Sequence, residues 1–430
     1  MKLGKKFTLG FLPTLLCLIS MLVVACGGPP AGPVTGAKAP QSQQVMRFAF
    51  NGGGPNGDIA TFDPAEASDV YSSQSIQLVF TGMVQLDDHL QIKPQLATSW
   101  DTSADGMTWT FHLRHNLKFS DGTTLDAHDV AYSINRALSP SVNNLSSGLA
   151  ATYLGLIKDS AAFTAAKAGA PTTLIGDSIK VIDANTLELD LSQNTGYFLG
   201  ALAYPTSWVV EKSVIDKWTD PKWQDHLSDN GGQGGDGPFK IQSYSHSTGI
   251  KFVPNPNYYG AAPALKEVDY NFFKTADTEY KAYTANQADF SGIPAALIPT
   301  EKPKLGAQYH QYSNLSISYL AMNYLAKPFD NIKIRQAFEL AINKDVLNTS
   351  ILKGTDIPTC HIVPAGMPGY NADLKCPGGA PTKGDPTMAM SLLQAGMAEE
   401  GITSLPPIKI TYSTGPTLGL LMTAIRQMWS

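Results

Sequence analysis

The sequence predicts a mixed α/β chain of two or three domains behind an N-terminal export signal. Three observations predict it. The 430 residues exceed one ordinary domain, at roughly 100–200 residues per domain. Strand-like and helix-like patterns mix along the body without a regular βαβ rhythm, so α/β and α+β arrangements both stay open. Hydrophobic residues make up 43% of the chain and charged residues 16%. That balance excludes disorder for the bulk of it, because disorder needs low hydrophobicity and high net charge. The formal charge of −5 also speaks against nucleic acid, which attracts clustered Lys and Arg. No repeat at a period of about 20–50 residues is visible, which sets solenoids and propellers aside.

Lys2, Lys5 and Lys6 form a positive start, and an apolar run from Phe7 to Ala25, broken by Pro13, follows it. This is the layout of a secretory signal. The run approaches the roughly 20 residues of a membrane span, and Cys26 directly after Val23-Val24-Ala25 separates the two readings. Those four residues resemble the lipobox of bacterial lipoproteins. The resemblance implies cleavage before Cys26 and a diacylglycerol on its sulfur, with a plain secreted protein carrying an incidental cysteine as the alternative. Residues 1–25 are therefore assigned to the signal and 26–44 to a lipidated cysteine and flexible tether. The stretch GGPPAGPVTGAKAPQSQQ has no periodicity and cannot bury enough surface to order itself. Loss of the three lysines takes the formal charge from −5 to −8.

Of the four cysteines, Cys17 leaves with the signal and Cys26 carries lipid. Cys360 and Cys376 remain, a pair suited to a disulfide in an oxidising compartment. Closing the Pro- and Gly-rich loop between them stabilises by about 3 kcal/mol in the chain-entropy model. A zinc site of Cys360, His361 and Cys376 lacks a fourth ligand and any CxxC or HxxxH spacing. Disulfide is the better reading.

Along the body, residues 45–50 (VMRFAF) alternate as a strand, and the Gly52–Gly57 run ends it. Ser72–Leu86 reads as a helix, with Ile76, Val79, Phe80 and Met83 at i, i+3, i+4 and i+7. Thr108–Arg114 alternates strictly, placing Trp109, Phe111 and Leu113 on one face. The turn dipeptides Asp105-Gly106 and Asp121-Gly122 flank it. Asp126 stands at an N-cap with Asp129 three residues on, before a helix whose stripe is Val130, Ile134, Ala137 and Leu138. Ile179–Asp183 and Thr186–Leu191 read as a hairpin turned by Ala184-Asn185. A Gly-rich loop from Asp229 to Gly237 leads into Pro238-Phe239-Lys240-Ile241, and Ile250–Val253 is another strand. A capped helix from Asp330-Asn331 runs to Asn343, with Ile334, Phe338, Ala341 and Ile342 inward. Val346–Leu352 follows as a second helix ended by Gly354.

Catalytic motifs are absent. No GxSxG elbow, HExxH, Walker loop or GxGxxG after a strand occurs. The glycine runs Gly52–Gly57 and Gly231–Gly237 lack the Lys-Ser/Thr ending of a phosphate loop and read as turns. His112 and His115, three apart in a strand, fall on opposite faces and do not share a metal. Asp87-Asp88 and Glu399-Glu400 read as a solvated loop and a helix end rather than an acid/base dyad. Neither a metal nor a cofactor is expected.

PQLATSWDTSADGMTWTFHLRHNLKFSDGTTLDAHDVAYSINRAL (Pro94–Leu138) resembles the signature region of the family 5 extracellular solute-binding proteins, the peptide- and nickel-binding receptors of ABC importers. GDGPFKIQSY (Gly235–Tyr244), PNPNYYG (Pro254–Gly260), AMNYLAKPFDNIKIRQAFELAINKD (Ala321–Asp345) and AMSLLQAGMAEEG (Ala389–Gly401) match the same family in the same order. The stretch Pro171–Ile215 is most similar to its oligopeptide-binding branch. The resemblance implies an α/β, two-lobed periplasmic-binding-protein-like fold, of type II in its large three-domain form. It places a cleft between lobes that close around the guest.

It further implies that residues 45–62 plus 172–270 form the main domain of lobe 1, 63–171 an inserted domain, and 271–430 lobe 2. Family members continue well beyond Ser430, so lobe 2 is expected to be truncated. The stripe Met422, Ile425 and Met428 is accordingly expected to face nothing, and the chain to bind peptide poorly. In the family an extended peptide pairs through its backbone, and a carboxylate holds its N-terminal amine. That carboxylate would lie past residue 430. The matching ligand positions here are Asp58-Ile59-Ala60 after the first strand, Tyr153 after the inserted helix, and Tyr319 on the strand entering lobe 2. Their plain readings are a loop cap for Asp58 and core aromatics for the two tyrosines.

The resemblance thus implies no enzyme. It implies a monomeric, lipid-anchored receptor on the outer face of the cell membrane, delivering oligopeptides to ABC permease subunits with cytoplasmic ATPases. A nickel chelate, haem or sugar in the same fold is the alternative, with nickel disfavoured by the lack of a His cluster. A secreted hydrolase is the remote one, for want of any nucleophile motif.

Overall fold

The alternating run at the head of the body forms β1 (Val45–Phe50) and buries Ala49 and Phe50. The computed structural model describes residue 40 and residues 43–430, apart from 146–147, 168, 219–221, 313, 315, 377–381 and 414–415. The signal, Cys17 and Cys26 lie outside the described residues. Nine further strands follow among those described: β2 (Val84–Leu86), β3 (Ile92–Pro94), β4 (Ala97–Thr102), β5 (Thr108–Leu113), β6 (Ile179–Asp183), β7 (Thr186–Asp190), β8 (Phe239–Ser245), β9 (Gly249–Pro254) and β10 (Glu267–Phe272). They form one sheet ordered β1-β10-β9-β8, a second ordered β4-β5-β7-β6, and a β2–β3 ribbon. The chain divides into two compact units. Among the described residues, one holds those up to Phe48 with Asp58–Asn271, and the other holds Ala49–Gly57 with Phe272–Ser430.

In the first unit, β5 pairs antiparallel with β7 so that Trp109 faces Leu189 and Phe111 faces Leu187. Phe111, Leu113, Leu187 and Leu189 are buried, and Trp109 packs partly buried beside them. The Ala127–Leu138 helix covers this core with Val130, Ile134, Ala137 and Leu138. Asp126 and Asp129 close a reciprocal capping box at its start. Each large apolar side chain so buried contributes roughly 1.5–3 kcal/mol. The direct β5–β7 pairing also joins strands that the sequence reading divides at residue 171/172 between an inserted and a main domain. Cross-strand packing of Trp109 and Phe111 on Leu189 and Leu187 makes one core of the two.

The helix expected over Ser72–Leu86 spans only Val70–Val79, capped by Asp69, which accepts from the Ser72 N–H at 2.9 Å. Ile76, Val79, Phe80 and Met83 are all buried as the spacing requires, but the last two lie in extended chain. There the Thr81 N–H donates to Asp236 Oδ1 (2.8 Å) and the Gly82 N–H to Gln95 Oε1 (2.9 Å). These long-range bonds replace helical ones, and Val84–Leu86 pairs with Ile92–Pro94 instead. The second glycine run lies against this helix end. The Gly237 N–H donates to the Val79 carbonyl at 2.7 Å, and a Cβ on Gly235 would stand 2.3 Å from that oxygen. Close backbone approach explains these glycines.

The second unit is helical among its described residues beyond the ends of β1 and β10. Residues 49–57 cluster here, not with the first unit as the 45–62 boundary expects. The Ala49 N–H donates to the Phe290 carbonyl (2.9 Å) and the Phe273 N–H to the Phe50 carbonyl (2.8 Å). The Ile332–Leu340 helix, capped by Asn331, packs on Pro386–Glu399. It stops before Asn343, because the Asn343 side chain caps the next helix, Lys344–Ser350. Ala341 is consequently half-buried, while Ile334, Phe338 and Ile342 are buried.

The Pro416–Met428 helix corrects the expectation of an unpartnered stripe. Met422 and Ile425 are buried against Ile342 and Leu347, and Met428 is partly covered by the same cluster. Trp429 Nε1 donates to the Phe338 carbonyl at 2.8 Å. The stripe fills the gap left by two helices already in the unit. Cys360 and Cys376 are joined by a disulfide, with 5.5 Å between their Cα atoms. No described helix is long and apolar enough to cross a membrane.

Candidate functional site

The segment after the first glycine turn is fixed residue by residue. Asp58 and Ile59 are 5% and 4% exposed, whereas Ala60 is exposed. The Asp58 carboxylate accepts from its neighbour's N–H on Ile59 (2.7 Å), from the Tyr244 hydroxyl (2.9 and 3.1 Å) and from His246 Nδ1 (2.6 Å). Gln224 Oε1 then takes the Thr61 hydroxyl (2.9 Å) and the Phe62 N–H (2.7 Å). At the next position, the fully buried Asp63 accepts from the Ala65 N–H (3.0 Å), both terminal guanidinium nitrogens of Arg136, and Trp223 Nε1 (3.3 Å). Among the described residues nothing bonds to the Ala60 N–H or carbonyl. An exposed, unpaired backbone on an otherwise pinned segment is what an extended guest strand can pair with.

This arrangement changes the part Asp58 can play. Its carboxylate is spent on Tyr244 and His246, so the segment offers backbone rather than a side-chain charge. Burial pushes Asp58 above its ordinary value, opposed by the His246, Tyr244 and Ile59 hydrogen bonds. The Tyr244 hydroxyl is pushed up by burial and by the Asp58 charge.

Tyr153 sits half-buried on the Leu149–Leu154 helix. Its ring stacks on Tyr204 with centroids 3.9 Å apart and planes 12° apart. The Tyr204 hydroxyl donates to the Ala67 carbonyl at 3.0 Å, and burial raises that hydroxyl's pKa. Tyr153 and Asp58–Ala60 thus share the first unit, linked through Tyr204 and the Pro64–Glu66 turn that packs beside it. Tyr319 belongs to the second unit and is 68% exposed. The strand expected there is not formed, because residues 316–323 make no ladder with any described strand.

The sequence reading missed Tyr204, Gln224, Tyr244 and His246. Their bonds span 137 to 188 residues of chain, and no local pattern marks them. His112 and His115 were separated too sharply. β5 ends at Leu113, so alternation does not reach His115, and both residues line a cavity of about 470 Å³ with Arg114 and Asp183. Each ring is held separately, His112 by Asp101 (2.9 Å) and His115 by Asn185 (3.0 Å). His361 Nε2 bonds the Leu374 carbonyl at 2.8 Å. Among the described residues no three His, Cys, Asp or Glu side chains converge to hold a metal.

The fold is that of the type II periplasmic binding proteins. A murein tripeptide binding protein from Escherichia coli superposes with a TM-score of 0.72 at 24% identity, covering 90% of this chain and 72% of its own. A periplasmic oligopeptide-binding protein from Borrelia burgdorferi gives 0.71 at 27% identity, covering 90% and 73%. Residues 91–430 match the model of the bacterial extracellular solute-binding proteins, family 5 (middle region), and the chain belongs to that family. An oligopeptide-binding protein of Bacillus subtilis (strain 168) is 26% identical over 424 residues, 97% of this chain and 74% of its own length. A probable deoxycholate-binding periplasmic protein of Escherichia coli is 28% identical over 352 residues, 80% of this chain and 62% of that one.

Proposed function

We propose that this chain is the substrate-binding component of an ABC importer, capturing oligopeptides outside the cytoplasmic membrane and passing them to the permease. The open backbone at Ala60, on a segment pinned by Asp58, Gln224 and Asp63, carries this reading. It suits a guest recognised by main chain rather than by particular side chains. The relative named as oligopeptide-binding along nearly the whole chain supports the same guest. Tyr153, backed by Tyr204, supplies an aromatic wall. A lipid on Cys26 would hold the protein at the membrane surface, and a Cys26→Ser variant should leave the membrane fraction.

A thermal-shift assay with defined peptide pools tests the reading. Peptide at 100 times Kd should stabilise by about 2.7 kcal/mol. No shift at concentrations where a family receptor responds sinks it. A second reading, an apolar solute, is favoured by relatives named as deoxycholate-binding and heme-binding, 28% and 27% identical. Native mass spectrometry of fresh protein separates the two. Co-purified peptides give a mass ladder, and one apolar solute gives one sharp mass.

A further inference from the structure

The imidazole of His246 lies between two carboxylates. Nδ1 is 2.6 Å from Asp58 Oδ2 and Nε2 is 3.2 Å from Asp225 Oδ1. An ionised carboxylate only accepts, and a neutral imidazole has only one N–H. Both contacts are therefore hydrogen bonds only when His246 is the imidazolium. Asp58 is buried, whereas Asp225 and His246 reach solvent, so the pair can exchange protons with the medium. Tyr244, 4.4 Å from the imidazole by ring centroids, donates to the same Asp58 carboxylate.

We propose that Tyr244 and His246 are positioning residues for the backbone at Ile59 and Ala60, and that the charge on His246 sets how firmly that segment is held. The inference rests on the peptide-capture reading above. The ionisable groups facing His246 are Asp58 from the segment itself, Asp225 from the Lys222–His226 turn, and Tyr244 from the end of β8 just before it. Burial lowers the imidazole's proton affinity, but the Asp58 hydrogen bond and charge, with Asp225 behind them, outweigh it. His246 therefore titrates above the ordinary histidine value. A raised histidine stabilises fully below its unfolded value and loses that contribution as pH rises through its folded value. The latch is closed in mild acid and loosens toward alkaline pH, when one of the two donors is lost.

The test measures peptide Kd and unfolding temperature of the full chain from pH 5.5 to 9. Wild type should lose affinity several-fold as pH rises past the ordinary histidine value, with a parallel fall in unfolding temperature. His246→Gln, which keeps one donor but cannot charge, should make both profiles shallower than those of wild type. Asp225→Asn, which removes only the outer carboxylate, should move the midpoint of both to lower pH. A purely structural role would lower stability in the two variants equally at every pH. Slopes in His246→Gln equal to those of wild type overturn the proposal. If no peptide binds at any pH, the capture reading fails alone, and the unfolding profiles still decide the latch.

Discussion

Asp236 should make the first unit less stable as pH rises, and replacing it with asparagine should abolish that loss. The side chain is 1% exposed, and its carboxyl is pushed up to about 7 by burial, against the opposing bonds from Thr81. Because the folded value lies above the unfolded one, the native state binds more protons than the unfolded chain between pH 4 and 7. Stability therefore falls with rising pH through that window. The rise from 3.8 to about 7, at about 1.4 kcal/mol per pH unit, corresponds to a loss on the order of 4 kcal/mol. Asp236→Asn keeps the geometry. Its oxygen can accept from the Thr81 N–H, now at 2.8 Å from Asp236 Oδ1, and its amide can donate to the Thr81 hydroxyl. Chemical denaturation of both proteins from pH 4 to 8.5 isolates the term, because other titrating groups are shared. The variant should gain on wild type steadily and be the more stable near pH 8. A difference that stays constant with pH would refute the reasoning, leaving Asp236 ionised in the native state.

The Asp63–Arg136 pair is buried on both sides, so Arg136→Met should cost about 3–5 kcal/mol by stranding a carboxylate. Adding Asp63→Asn should recover much of that in urea unfolding, and no recovery would argue against the charge as the cause. Replacing Cys360 and Cys376 with serine should destabilise by about 3 kcal/mol, read from the denaturation midpoint with and without reductant. A wild-type midpoint insensitive to reductant would count against it. Tyr153→Ala should weaken peptide binding while leaving the unfolding temperature nearly unchanged, since the ring is half-exposed. Unchanged Kd by calorimetry would remove Tyr153 from the site.

Periodicity and capping rules decided the local elements without help from tertiary contacts. Asp126 with Asp129 and the Ala184-Asn185 hairpin form where the residues place them, because each is stabilised by neighbours within a few positions, and the Trp109–Phe111–Leu113 face forms where its alternation places it. The apolar residues of Ile76–Met83 are buried as their spacing requires, yet the helix ends at Val79. Hydrogen bonds from Thr81 and Gly82 to residues 155 and 13 positions away outweigh the helical alternative. The same holds for the site. The family resemblance offered Asp58–Ala60, Tyr153 and Tyr319 as ligand positions, but it carried nothing of what surrounds them. Whether Asp58 presents its charge or spends it depends on Tyr244 and His246, 186 and 188 residues away. No local pattern carries that information, because burial and pairing of a charge are properties of the folded neighbourhood. Met422 and Ile425 make the same point in the second unit, where their pattern announced an apolar face and only the packed helices supplied Ile342 and Leu347 to cover it.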